Sequence, residues 1–174
     1  ANPEKATYIS PSGHFRLTYS TTGTNAVPST DTSPANGVPD FVEKIAQYMD
    51  TSWATEIDLL GFTAPPKPTG YYEVDFESMG YYGYTSPGSG GSSTITMHNT
   101  YQGFPPNDDP EGNVWGAAKA TACHEFKHAS QRAQSGWSES GWVELDATWM
   151  EDIVYDVTFA FVYHAFEEGG TIVQ

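Results

Sequence analysis

The placement of proline and glycine constrains this chain more firmly than any other feature, because these residues decide where regular structure can run. Between Ala26 and Asp40 stand Pro28, Pro34, Pro39 and the pair Asn36-Gly37, which forbid a regular element until Pro39 opens a helix at its first turn. From Pro39 to Leu60 nothing interrupts. Val42, Ile45, Met49, Trp53, Ile57 and Leu60 recur there at spacings of three and four, and Gly61 is placed to end the run in a left-handed cap. This is an amphipathic core helix over 39–60. Pro65, Pro66 and Pro68 mark the loop that follows. Two further helix-length stretches lie downstream, one over about 115–133 with its stop at Gly136, the other over about 142–166 ending at Gly169-Gly170.

The remaining segments read as strands and loops. In residues 14–20 the alternation puts Phe15, Leu17 and Tyr19 on one face of a strand; 71–76 and 94–98 are further strand candidates. The Gly/Ser-rich stretch 86–92 and the Pro/Asn/Asp/Gly stretch 104–113 read as loops. The order is β, α, several β, α, α, with no repeat and no linker, which predicts one α+β domain over residues 1–174.

Composition narrows the function classes. Twenty-two acidic against seven basic residues give a net charge of −15, which repels phosphate backbones, so nucleic acid is excluded as a partner. No run of about 18 apolar residues is present, and no membrane insertion is expected. Cys123 is the only cysteine, so neither an internal disulfide nor a thiolate zinc cluster can hold the chain together. The Ala-Asn start without Met, the scarcity of lysine and the abundance of Tyr, Gly, Ser and Thr suit a processed, secreted protein, and the start equally suits an excised piece; a monomer is expected, and the abrupt Thr-Ile-Val-Gln end suggests a C-terminal continuation.

Within the second helical stretch lies His124-Glu125-Phe126-Lys127-His128. Residues four apart share a helix face, so the two imidazoles address one point in space, as two zinc ligands must. Glu125, rotated by about 100° from His124, stays out of the ligand set but within reach of a water there, where a carboxylate takes a proton as the water attacks a carbonyl. Catalytic zinc takes three protein ligands and keeps one position open. Glu144, near the start of the next helix, is the first choice for the third; Glu151 and Asp152, two turns on, are better placed to hydrogen-bond a ligand histidine, as is Thr148. Asp146 points away from Glu144. His164 lies too far along the same helix to reach the metal, some 30 Å at about 1.5 Å per residue. Lys127 places a cation beside the metal face.

His-Glu-Phe-Lys-His-Ala-Ser-Gln followed by Trp142-Val-Glu-Leu-Asp-Ala-Thr-Trp-Met-Glu-Asp152 resembles the zincin metallopeptidases whose third ligand is glutamate, the gluzincins. More narrowly, it is similar to a group of secreted bacterial metalloproteases first recognised in myxobacteria. Further matches are Gly13-His-Phe-Arg-Leu-Thr-Tyr-Ser-Thr-Thr-Gly23, Asp31 through Asn36-Gly-Val-Pro-Asp-Phe-Val-Glu43, and Gly80-Tyr-Tyr-Gly-Tyr-Thr85. The resemblance implies a zincin-like fold, a zinc endopeptidase acting on protein or peptide substrates, His124, His128 and Glu144 as ligands, and Glu125 as general base. The segment Glu-Leu-Asp-Ala departs from the Glu-Gly-x-Ala pattern common in such enzymes.

Other features carry weaker signals. Asp31, Asn36, Asp40 and Glu43 gather oxygen donors around a Gly-containing turn and make a candidate calcium site. The resemblance, with the order of elements, makes Thr94 to His98 a candidate for the edge strand with which zincins bind an extended peptide by main-chain hydrogen bonds. Tyr155 and His164 are candidate oxyanion stabilisers, while His14 and His98 read as structural histidines. The tyrosines Tyr81, Tyr82 and Tyr84 either line a cleft or cover a sheet. Two rival readings stand beside the peptidase: a calcium-dependent surface or carbohydrate-binding module, and a zinc-binding pseudoenzyme.

Overall fold

Phe15, Leu17 and Tyr19 are buried along one face of a strand, as their alternation demands. That strand is the second of five in a computed structural model that describes residues 5–155. The elements run β1 (Lys5–Ile9), β2 (Phe15–Ser20), α1 (Asp40–Trp53), β3 (Tyr72–Glu77), β4 (Gly83–Pro87), β5 (Ser93–His98), α2 (Asn113–Ser135) and α3 (Trp142–Tyr155). They form an α+β architecture with one mixed sheet in the order β1-β2-β3-β5-β4. β2, β3 and β5 are parallel to one another, and β1 and β4 close the two sides antiparallel. The strand expected to offer a free edge, at residues 94–98, is β5, and it has neighbours on both sides. Among the described residues the edge on that side is β4, which the Tyr/Gly-rich sequence does not announce as a strand.

α1 packs on β2, α2 lies across β4 and β5, and α1 and α3 both pack on α2. The centre of the core is aromatic. Phe126, the middle residue of the histidine motif, is fully buried with its ring 5.4 Å from Phe15, 5.5 Å from Trp53 and 6.1 Å from Tyr72. The apolar residue inside the motif therefore anchors α2 to the sheet and to α1 by the side opposite His124 and His128. α2 ends at Gly136, the stop expected there, whose φ of 67° forms a left-handed cap with its N–H returning to the Arg132 carbonyl. Among the described residues no helix is long and apolar enough to cross a membrane.

The first helix departs from its reading in its last turns. Val42, Ile45, Met49 and Trp53 are buried as the periodicity requires, but a π-helical turn over Ala54–Leu59 follows α1. A π turn holds more residues than an α turn, so it shifts the phase of every later side chain. Leu60, expected in the core, is 41% exposed, and Glu56 is turned inward at 0% exposure. Neither carboxylate oxygen of Glu56 has a hydrogen-bond partner. Burial raises its pKa well above the ordinary 4.5, with Lys127 opposing the rise. A carboxyl whose folded-state pKa is raised contributes stability below 4.5 that is lost as the pH climbs through the folded-state value. Glu56→Gln is therefore expected to be more stable than the parent chain at pH 8, by at least about 1 kcal/mol, the cost of one unpartnered buried polar group. The gap should narrow toward pH 4, and thermal melting across that range checks it.

Candidate metal centre

α2 carries His124 and His128 one turn apart, and α3 returns along it to bring Glu144 between them. The two Nε2 atoms lie 3.1 Å from each other. Glu144 Oε2 is 3.3 Å from His124 Nε2, and Glu144 Oε1 is 3.3 Å from His128 Nε2. Ligand atoms on a zinc tetrahedron with bonds of about 2.0–2.1 Å stand about 3.3 Å apart, so the three groups have the spacing of one tetrahedral face. Among the described residues this is the one cluster of three His, Cys, Asp or Glu groups whose ligand atoms converge.

The far side of each imidazole is held as well. His124 Nδ1 is 2.7 Å from Glu151 Oε1, and His128 Nδ1 is 2.9 Å from Gln131 Oε1. Each Nδ1 thus faces a fixed acceptor on its outer side and each Nε2 faces the common point, the orientation a metal ligand needs. Gln131 is fixed in turn: its amide donates to Asp146 Oδ2 and to the Val143 carbonyl, both at 2.9 Å. Electrostatics favour positive charge here. Burial alone would pull the His124 pKa down, but hydrogen bonds to Glu144 and Glu151 push it up to about 10. Burial would raise Glu144, yet its hydrogen bonds to both histidines hold it well below the usual carboxylate range. Burial raises Glu151 despite its bond to His124. Two imidazoles, each oriented by a fixed partner, and a carboxylate are a donor set that fits zinc.

Comparisons with known protein families, with curated proteins and with solved structures return no significant match. The chemistry is therefore read from the site itself.

Glu125 is 7% exposed and faces β4, where Thr85 Oγ1 lies 2.8 Å from its Oε2. Lys127 is on the opposite flank, 2% exposed, 3.2 Å from Asp146 and over the ring of Phe62. It is therefore not a solvent-facing cation. Asp146, read as pointing away, supports the site through both Lys127 and Gln131. Gln131 escaped the sequence reading, although its position three residues after His128 places it on the same face of α2.

The other candidates are placed as follows. Thr148 is half-buried one turn beyond Glu144, and Asp152 is exposed to solvent, so Glu151 alone of the expected carboxylate supports holds a ligand histidine. The hydroxyl of Tyr155 donates to the Tyr48 carbonyl on α1, 2.9 Å away, which ties it to the core and not to a developing oxyanion. His164 lies outside the described residues. The candidate calcium donors serve their own loop: Asp31 accepts the N–H groups of Asn36 and Gly37, Asp40 accepts those of Thr32 and Ser33, and the Asn36 amide donates to Glu43. The ligand atoms of Asp31, Asp40 and Glu43 do not converge. His98 Nδ1 accepts the N–H groups of Thr100 and Tyr101, and His14 stacks on Trp53. Tyr82 packs against Phe104, and Tyr84 donates to Glu77, so these tyrosines brace the β4 side of the sheet.

Proposed function

We propose that this chain is a zinc-dependent endopeptidase of the zincin kind, with the ligand set of a gluzincin. The observation that carries the reading is the convergence of His124 Nε2, His128 Nε2 and the Glu144 carboxylate at 3.1–3.3 Å while both Nδ1 atoms are held elsewhere. These three residues would hold zinc, which when bound supplies Lewis-acid polarisation of the scissile carbonyl and of the attacking water. Glu125 takes the proton of that water on its carboxylate and returns it to the leaving amine. Glu151 and Gln131 keep the imidazoles oriented through the cycle. An extended peptide would add to the edge of β4, which is unpaired among the described residues and runs past Glu125, by main-chain hydrogen bonds.

The test is metal analysis joined to an activity assay on the purified chain. One zinc per chain, together with peptide hydrolysis that a chelator abolishes and zinc restores, is the expected result. Zinc without hydrolysis would make the chain a pseudoenzyme. Calcium alone, without zinc or hydrolysis, would favour the binding module.

A further inference from the structure

Gly83 opens β4 directly over the motif helix. A Cβ built on it would stand 2.7 Å from Thr121 Cγ2, 3.0 Å from the main-chain oxygen of Thr96 and 3.4 Å from Glu125 Cγ. Thr121 is buried, and its hydroxyl is bonded to the Ala117 carbonyl 2.7 Å away, so that methyl has little freedom to retreat. The main-chain oxygen has less. The missing side chain therefore lets the strand lie closer to α2 than any other residue would allow, beside Glu125.

Thr85 is two residues further on, which returns it to the same face of the strand. Its Oγ1 is 2.8 Å from Glu125 Oε2 and 2.9 Å from the Glu125 main-chain oxygen. A threonine hydroxyl has one proton and two lone pairs, so it donates to one of these acceptors at a time. Both belong to the same residue.

We infer that Thr85 is the positioning residue of the general base, an inference that rests on the peptidase reading. Its hydroxyl fixes Oε2 against β4 and leaves Oε1 to take the proton of the attacking water. The hydroxyl donates to Oε2, a hydrogen bond to a carboxylate and so a strong one. Gly83 provides the close approach of β4 to α2 that makes this contact possible. The strand proposed to receive the substrate is also the strand that aligns the base, so the two are held in register by one element.

Valine has the shape of threonine without the hydroxyl, and serine has the hydroxyl without the methyl, which makes the pair a direct test. With the zinc-loaded full chain and a fluorogenic peptide, Thr85→Val is expected to lower kcat by about 10- to 100-fold, as misplacing a reacting group does. KM should stay within about twofold, and zinc content should be unchanged, because the lost interaction acts on the base and not on binding. Thr85→Ser should recover most of the rate. In an active enzyme, a Thr85→Val kcat within about twofold of the parent chain overturns the inference alone. So does a serine variant as slow as the valine one, or a loss of zinc in step with the loss of rate. A zinc-loaded parent chain that hydrolyses nothing overturns the peptidase reading, and the inference with it.

Discussion

Replacing Glu144 with alanine is expected to release zinc from the protein and to abolish hydrolysis with it. In the proposed site the carboxylate is the one ligand that the described residues of α3 would contribute, and each of its oxygens stands 3.3 Å from one of the two Nε2 atoms. Without it the site is two imidazoles on one helix face, with a carboxylate behind one and an amide behind the other. Removing a partner that merely orients a ligand histidine typically weakens metal binding by about 10- to 100-fold. Loss of a ligand should exceed that, so Glu144→Ala is expected to fall below Glu151→Gln in zinc affinity, and competition against a chromogenic chelator ranks the two. The fold should survive, since Glu144 is half-buried and α3 also rests on Ala147 and Met150. Full zinc occupancy in Glu144→Ala would remove it from the ligand set and turn attention to Glu151, whose second oxygen is buried without a partner.

Which parts of this arrangement can be read from the sequence follows from how local their causes are. Two histidines one turn apart on a helix, a base between them and a glycine cap are local, and the spacing of residues 124–136 is enough to place them. The alternation of Phe15, Leu17 and Tyr19 is equally local. Strand order is not. Residues 94–98 read equally well as an edge or an interior strand, and only the insertion of β5 between β3 and β4 decides between them. β4 itself is hidden because its key position is a glycine, chosen for the contact it must make with α2 and not for strand propensity.

The last turns of the first helix illustrate a different loss. A continuous spacing of three and four through Ile57 and Leu60 assumes a constant pitch, and the π turn breaks that assumption, carrying Glu56 into the interior in place of Leu60. The supporting shell was half legible. Glu151 sits at the distance from Glu144 that returns it to the metal face, two turns on. Asp146, on the other flank of α3, appears uninvolved until it is seen that α2 presents Lys127 and Gln131 to that flank. A residue that acts through an intermediary leaves no spacing signature of its own.

Glu125→Gln is expected to retain zinc and lose catalysis, with kcat reduced by about 10²- to 10⁴-fold, the usual weight of a general base. Glutamine keeps the length and planarity of the side chain, and its amide oxygen can still accept the Thr85 hydroxyl. The β4 contact and the packing of Phe126 behind it should therefore be unaffected. What is lost is an acceptor for the proton of water. No neighbour is free to replace it. Three glutamates surround His124, and of these Glu144 faces both Nε2 atoms and Glu151 holds Nδ1. Glu125 is the one not bonded to an imidazole, and the hydroxyl that holds it binds one oxygen and leaves the other. A zinc-loaded Glu125→Gln chain with undiminished kcat on a peptide substrate would show that the proton leaves by another route, and the role assigned to this carboxylate would fall while the metal site stood.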